Sequence, residues 1–341
     1  MMITERNFNL NSCCNHLGAI AKTDFTIYYT IARRSSFCAA LNRTTLLEET
    51  MYSSLKTLLS SIVDYAGLFP PAQLTMPEAI ANYDRDKMSP NSWMLERFVL
   101  PASRIDEFEE IIEAFSLEKW SLSVILSGNI ELELERIQSI SDGGKIAIAA
   151  LEFPPLPPTD IESLFPNLSA GVDKFFEIPS DADLDAYLAA LRYTGGFAKI
   201  RTGGITAEAF PNETQLSHYI IAFAQAQIPF KATAGLHHPL FGEYRLTYES
   251  QSKFVRMYGF LNVAILAALA YWQKVTQEDA IALLGESSLD NFIFTENSIG
   301  WGERQLTFSE IETARKDFFK SFGSCSFQEP INDLQQLKLL S

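Results

Sequence analysis

Seven short apolar runs alternate with amphipathic stretches along most of this chain, and that order leaves few folds open. The runs cover residues 62–66, 97–100, 121–126, 145–151, 174–178, 198–201 and 230–234, each about the length of one strand. Five of the intervening stretches read as helices, over 76–87, 104–115, 130–140, 181–192 and 213–227. In the second of these, Ile105, Phe108, Ile111, Ile112 and Phe115 form one apolar stripe. Strand–helix repetition implies parallel pairing, because parallel neighbours need a long crossover and a helix supplies it. One further strand would close an eight-stranded barrel, and residues 322–327 are the expected one. A helix over 308–320 would precede it, a terminal helix from Pro330 would follow, and a hairpin would be inserted near 291–307. The predicted fold is a single (β/α)8 barrel of the TIM type over residues 51–341, with an open doubly wound parallel sheet as the alternative.

Several runs exit into proline: Phe69-Pro70-Pro71, Leu100-Pro101, Phe153-Pro154-Pro155, Ile178-Pro179, His238-Pro239 and Glu329-Pro330. Proline stops a strand and stiffens the loop after it. In a barrel these exits share the face on which active sites are built.

The first fifty residues hold Cys13, Cys14 and Cys38, three of the four cysteines, and show no clean period. They read as a poorly ordered leader, or as a mis-assigned start with Met51 as the first residue. No basic segment followed by a long apolar run marks a secretory signal. No CxxC pair indicates a zinc framework or a disulfide scaffold, and a reducing cytoplasm fits. The longest apolar run, 257–272, contains Asn262 and is shorter than a bilayer span. It is expected as a helix buried against the sheet. A net charge of −15 argues against nucleic acid or an anionic membrane as partner, and a homo-oligomer stays open.

Against that acidic background, two apolar runs each carry a lysine. Phe197-Ala198-Lys199-Ile200-Arg201-Thr202-Gly203-Gly204 and Phe230-Lys231-Ala232-Thr233-Ala234-Gly235 share K-x-x-x-G. Residues two apart in a strand share a face, so Lys199 aligns with Arg201, and Lys231 with Thr233. A lysine inside an apolar strand is costly unless paired or put to use. Ion pairs with Glu152 and Glu177 are the structural explanation. The functional ones are a Schiff-base amine, with Lys231 and Arg201 lowering the pKa of Lys199, or a clamp on a carboxylate or phosphate. His237 or His238, at a loop start, could act as general acid or base, one of the two facing the site. Gly203 and Gly204 could offer backbone N–H groups to an anion, although no dinucleotide or P-loop motif accompanies them. Asp64 lies at the first strand exit and reads as either a site residue or, preferably, a turn anchor. Cys325, between Ser324 and Ser326, reads preferably as a small core residue and otherwise as a nucleophile. No cofactor is indicated, and a divalent metal would need one histidine with Glu152 or Glu177.

At the sixth and seventh strands the chain resembles class I aldolases of the deoxyribose-phosphate aldolase kind. The resemblance covers about forty residues, through Lys199-Ile-Arg-Thr-Gly203 and Lys231-Ala-Thr-Ala-Gly235. It implies a (β/α) barrel with a Schiff-base lysine at Lys199 and a second lysine at Lys231 that lowers its pKa. Arg201 and the His237-His238 pair depart from that pattern. The function expected is a lyase, aldolase-like, acting on a small anionic carbonyl compound. The alternatives are an enolising isomerase or lyase with electrostatic or metal assistance, and a non-catalytic barrel that binds an anionic metabolite. The long segments 202–214 and 240–250 are expected to cover the site.

Overall fold

The computed structural model describes residues 51–140 and 144–340. The expectation for residues 1–50 lies outside the described residues. Eight parallel strands close on themselves: β1 (Val63–Tyr65), β2 (Leu95–Pro101), β3 (Trp120–Ile125), β4 (Ile146–Phe153), β5 (Asp173–Glu177), β6 (Phe197–Arg201), β7 (Phe230–Thr233) and, last, β13 (Phe319–Ser324). Each pairs with its neighbour in chain order, and β1 joins both β2 and β13. That closure excludes the open-sheet alternative. Helices α1 (Ser53–Leu59), α2 (Met76–Lys87), α3 (Ile105–Ile112), α4 (Ile130–Ile140), α5 (Pro158–Leu164), α6 (Leu184–Thr194) and α7 (Glu213–Ala226) precede or follow the first seven strands.

Local sequence sets several of these boundaries. Thr75 and Glu78 close a capping box at the start of α2, with Pro77 in its first turn. Asp183 caps α6 by accepting from the Ala186 N–H, and Gly195 ends it at φ +80°. Apolar residues of the strands' outer faces meet the helices. Phe98, Phe108, Tyr83 and Trp120 form one such packed group, with the Tyr83 and Trp120 rings stacked at 5.5 Å.

Two additions interrupt the repeat between β7 and β13. The ribbon β8 (Gly242–Arg245) and β9 (Phe254–Met257) pairs antiparallel inside what reads from the sequence as a long loop. After it come α8 (Phe260–Tyr271) and α9 (Gln277–Leu284). Eleven of the twelve residues of α8 are buried, Asn262 among them, as expected for the longest apolar run. No helix among the described residues is long and apolar enough to cross a membrane. The expected hairpin near 291–307 gains a strand and becomes β10 (Phe292–Phe294), β11 (Ser298–Trp301) and β12 (Arg304–Thr307), a three-stranded antiparallel sheet.

The eighth strand differs in register from expectation. The helix expected over 308–320 stops as α10 (Phe308–Asp317), and the strand begins two residues later, three earlier than predicted. Phe318 and Phe319 read as helical from the sequence. Instead their rings pack on Phe230 of β7, with centroids 5.1 and 5.0 Å away, and Arg315 donates to the carbonyls of Phe319 and Lys320. Burial against β7 thus overrides helix continuation. The terminal helix is α11 (Gln328–Gln336).

Candidate active site

Asp64 on β1, Glu152 on β4 and Lys231 on β7 belong to strands that are not neighbours in the barrel, so side chains from all three can meet only inside it. They do. The Lys231 Nζ lies 2.6 Å from Asp64 Oδ2 and 2.6 Å from Glu152 Oε1, and all three residues are buried. Ser123 donates to Glu152 at 2.7 Å and Ser321 to Asp64 at 2.6 Å. Asp64 is therefore a lumen residue and not a turn anchor. Alternation along β1 turns Tyr65 outward toward α2 and leaves the carboxylate inside.

Lys199 pairs in register with Lys231, as the repeated template requires. Its Nζ sits between Glu177 Oε2 at 3.0 Å and Glu152 Oε2 at 3.4 Å. Arg201, the last residue of β6, donates from Nε to Glu177 Oε1 at 2.9 Å, and its side chain is mostly exposed at the barrel's C-terminal mouth. Deeper in, Arg97 bridges Asp64 at 3.8 Å and Asp173 at 2.5 Å. Four cations thus interleave with four carboxylates along the lumen. The pairing expected for Lys199 with Glu152 and Glu177 is present, while Lys231 divides between Glu152 and Asp64.

This interleaving fixes the charge states. Burial works against a charged Glu152, but Lys231, Lys199 and the hydrogen bond from Ser123 outweigh it and hold its pKa at about 2. Glu177 is depressed in the same way: burial opposes the charge, and Lys199 and Arg201 prevail. Lys231 is raised, since Asp64 and Glu152 more than offset its burial and the repulsion of Arg97. Lys231 therefore does not stand as a free cation beside Lys199. Its charge is matched by two carboxylates.

The template's glycines have a packing explanation. A Cβ on Gly203 would lie 2.8 Å from the Gly235 Cα and 2.5 Å from the Phe210 ring, while Gly235 itself holds φ +77°. The two K-x-x-x-G segments end in glycine because their backbones touch there. Gly203 is covered by Phe210, and a side chain on Gly204 would meet Ala209. Thr233 donates to the Ile200 carbonyl at 3.3 Å.

His237 and His238 lie just beyond β7, and their carboxylate partners stand on α11, away from the lysines. His237 Nδ1 is 3.2 Å from Glu329, in the first turn of α11, and His238 Nδ1 is 2.6 Å from Asp333. The His238 ring also stacks on Tyr244 at 3.6 Å. Among the described residues no group of three or more histidine, cysteine, aspartate or glutamate side chains is arranged to hold a metal ion.

Arg97, Asp173, Ser123 and Ser321 complete the network but are not legible as site residues from the sequence. The two charges sit at the ends of apolar runs, where they read as flanks, and serine carries no periodic signal. Comparison with protein-family models, with curated proteins and with solved structures finds no match to this chain.

Proposed function

We propose that this barrel is a lyase of aldolase type, acting on a small anionic carbonyl compound through an imine on Lys199. The observation that carries the reading is the place of Lys199. Its amine lies between two carboxylates, one strand from a second buried lysine, on the strand that ends in an exposed arginine at the barrel mouth.

Lys199 passes a proton to Glu177, and the neutral amine attacks the substrate carbonyl carbon. A C–N bond forms as the π pair moves to oxygen, and protonation at oxygen lets water leave. A base takes the proton of the β-hydroxyl, and its O–H pair becomes the C=O of the released fragment. The pair of the breaking Cα–Cβ bond moves to the iminium to give an enamine. Protonation of that enamine at carbon and attack of water on the iminium release the second carbonyl product and free Lys199. Glu177 takes and returns the protons, Glu152 stays an anion beside the developing iminium, and Arg201 holds the anionic end of the substrate. Lys231 acts through Glu152, keeping it ionised and in place. The experiment is borohydride reduction with a panel of keto acids, aldehydes and sugar phosphates. A mass increase on the peptide containing Lys199, absent in Lys199→Arg, is the expected result.

The same two carboxylates favour a second reading, in which Lys199 stays an ammonium and stabilises an enolate electrostatically. Compounds that raise the melting temperature but never give a reduced adduct would remove the imine and leave this reading.

A further inference from the structure

A second group of reactive side chains gathers at the barrel mouth, and the lysine chemistry does not use it. Cys325 directly follows β13, His237 follows β7, Tyr248 comes from the turn between β8 and β9, and Glu329 opens α11. Four separate elements therefore converge. The Tyr248 hydroxyl lies 3.4 Å from the Cys325 Sγ and 3.2 Å from Glu329 Oε2. His237 Nδ1 is 4.0 Å from the same sulfur and 3.2 Å from the same carboxylate oxygen.

A histidine held by a carboxylate and lying against the sulfur suits a thiolate–imidazolium pair, while the Tyr248 hydroxyl donates its proton to Glu329 and stands 3.4 Å from the sulfur. Sulfur and carboxylate face the same imidazole nitrogen. The arrangement is thus an imidazolium shared between two anions, and not a relay through both ring nitrogens. Charge states agree. Burial opposes the charged imidazole, yet the hydrogen bonds to Cys325 and Glu329 raise His237 to about 10. Burial also opposes the thiolate, yet His237 and Tyr248 lower Cys325. Tyr65, which also faces the sulfur, is pushed up to about 12 by burial and stays neutral. Asp86, which lines the same cleft, is raised by burial and pairs with Arg85 at 3.0 Å.

A cleft of about 210 Å³ opens beside the sulfur, lined by Tyr65, Asn82, Arg85, Tyr248, Cys325 and Gln328 among others. Its volume admits a short acyl group, and its wall is polar: Arg85 bonds Asn82 and Asp86, and Asn82 donates to Tyr65. We propose that Cys325 is a nucleophile that accepts an acyl group from a small ester or thioester bound in this cleft.

The sulfur lone pair attacks the carbonyl carbon, forming an S–C bond as the π pair moves to oxygen. When that pair returns, the bond to the leaving group breaks, and the departing alkoxide or thiolate takes a proton from His237. Water then attacks the acyl-cysteine carbon and gives a proton to the neutral His237. The S–C bond breaks, releasing the carboxylic acid and restoring the ion pair. The site does not depend on imine formation at Lys199.

The test uses the full chain and two probes. With 4-nitrophenyl acetate, a burst of 4-nitrophenolate is expected, with one acetyl group on the peptide containing Cys325, absent in Cys325→Ser. Peptide mapping separates Cys13, Cys14 and Cys38. With iodoacetamide, alkylation of Cys325 should titrate with a midpoint below the usual thiol value of about 8.5. His237→Asn should slow it at pH 6 by roughly tenfold or more, since a pKa shift of one unit changes the thiolate fraction about tenfold there. Tyr248 is exposed, so Tyr248→Phe leaves the fold intact and should also move the midpoint upward by removing the hydroxyl 3.4 Å from the sulfur. Wild-type alkylation with an ordinary thiol midpoint, or a folded protein that never acetylates at Cys325, would overturn the proposal.

Discussion

Replacing Lys231 by methionine leaves Asp64 and Glu152 in the lumen without the ammonium that lies 2.6 Å from each. Two carboxylates buried without that partner cost more than the original pair gained, so Lys231→Met should lose about 3–5 kcal/mol in chemical denaturation. If the variant keeps wild-type stability, the lumen charges are not coupled as described. Gly235→Ala should also destabilise, by about 1–3 kcal/mol from the left-handed backbone alone, because its φ is +77° and the new Cβ would meet Gly203 at 2.8 Å. At this scale the sequence exposes the lysines clearly, since a charge inside an apolar run stands out. It hides Arg97 and Asp173, whose partners come from strands far apart in the chain.

Among the elements, α8 owes its position to one polar residue. Asn262 donates to the carbonyls of Leu283 and Glu286 at 2.8 Å each, and its Oδ1 accepts from the Phe241 N–H at 3.0 Å. It thereby ties the helix to the end of α9 and to the loop before β8. Asn262→Leu fits the apolar surroundings but leaves three backbone groups without these partners, two of them carbonyls. A loss of about 3 kcal/mol is expected in urea unfolding, with amide exchange faster around Phe241. A neutral substitution would show that solvent replaces these bonds. The helical period of α2 and α4 places both helices at their observed bounds. The start of β13 escapes the same reading because Phe318 and Phe319 satisfy a helical stripe as well as a strand, and only contact with Phe230 separates the two.

For the whole molecule, the interleaved lumen predicts acid sensitivity. Glu152 falls from its ordinary carboxylate value to about 2 on folding, so the unfolded chain binds the proton more readily than the folded one. Its contribution is fully present above about pH 4.5 and is lost as pH falls through about 2. Denaturation midpoints should therefore drop across that window, and Glu152→Gln should flatten the drop while lowering stability at neutral pH. An unchanged slope in the variant would place the acid-labile charge elsewhere.

The sequence by itself determines a parallel sheet of alternating strands and helices, because those periods are local properties and parallel pairing follows from them, while closure of β1 onto β13 separates the barrel from an open sheet. It also determines that Lys199 and Lys231 share a face on adjacent strands, since side-chain direction in a strand depends only on position along it. Tertiary structure alone decides which charges those lysines meet. Asp64, Glu152 and Lys231 stand on non-neighbouring strands, and Cys325, His237, Tyr248 and Glu329 come from four separate elements. Closure of the barrel sets those distances, and distance decides whether a buried charge is paired or free to react.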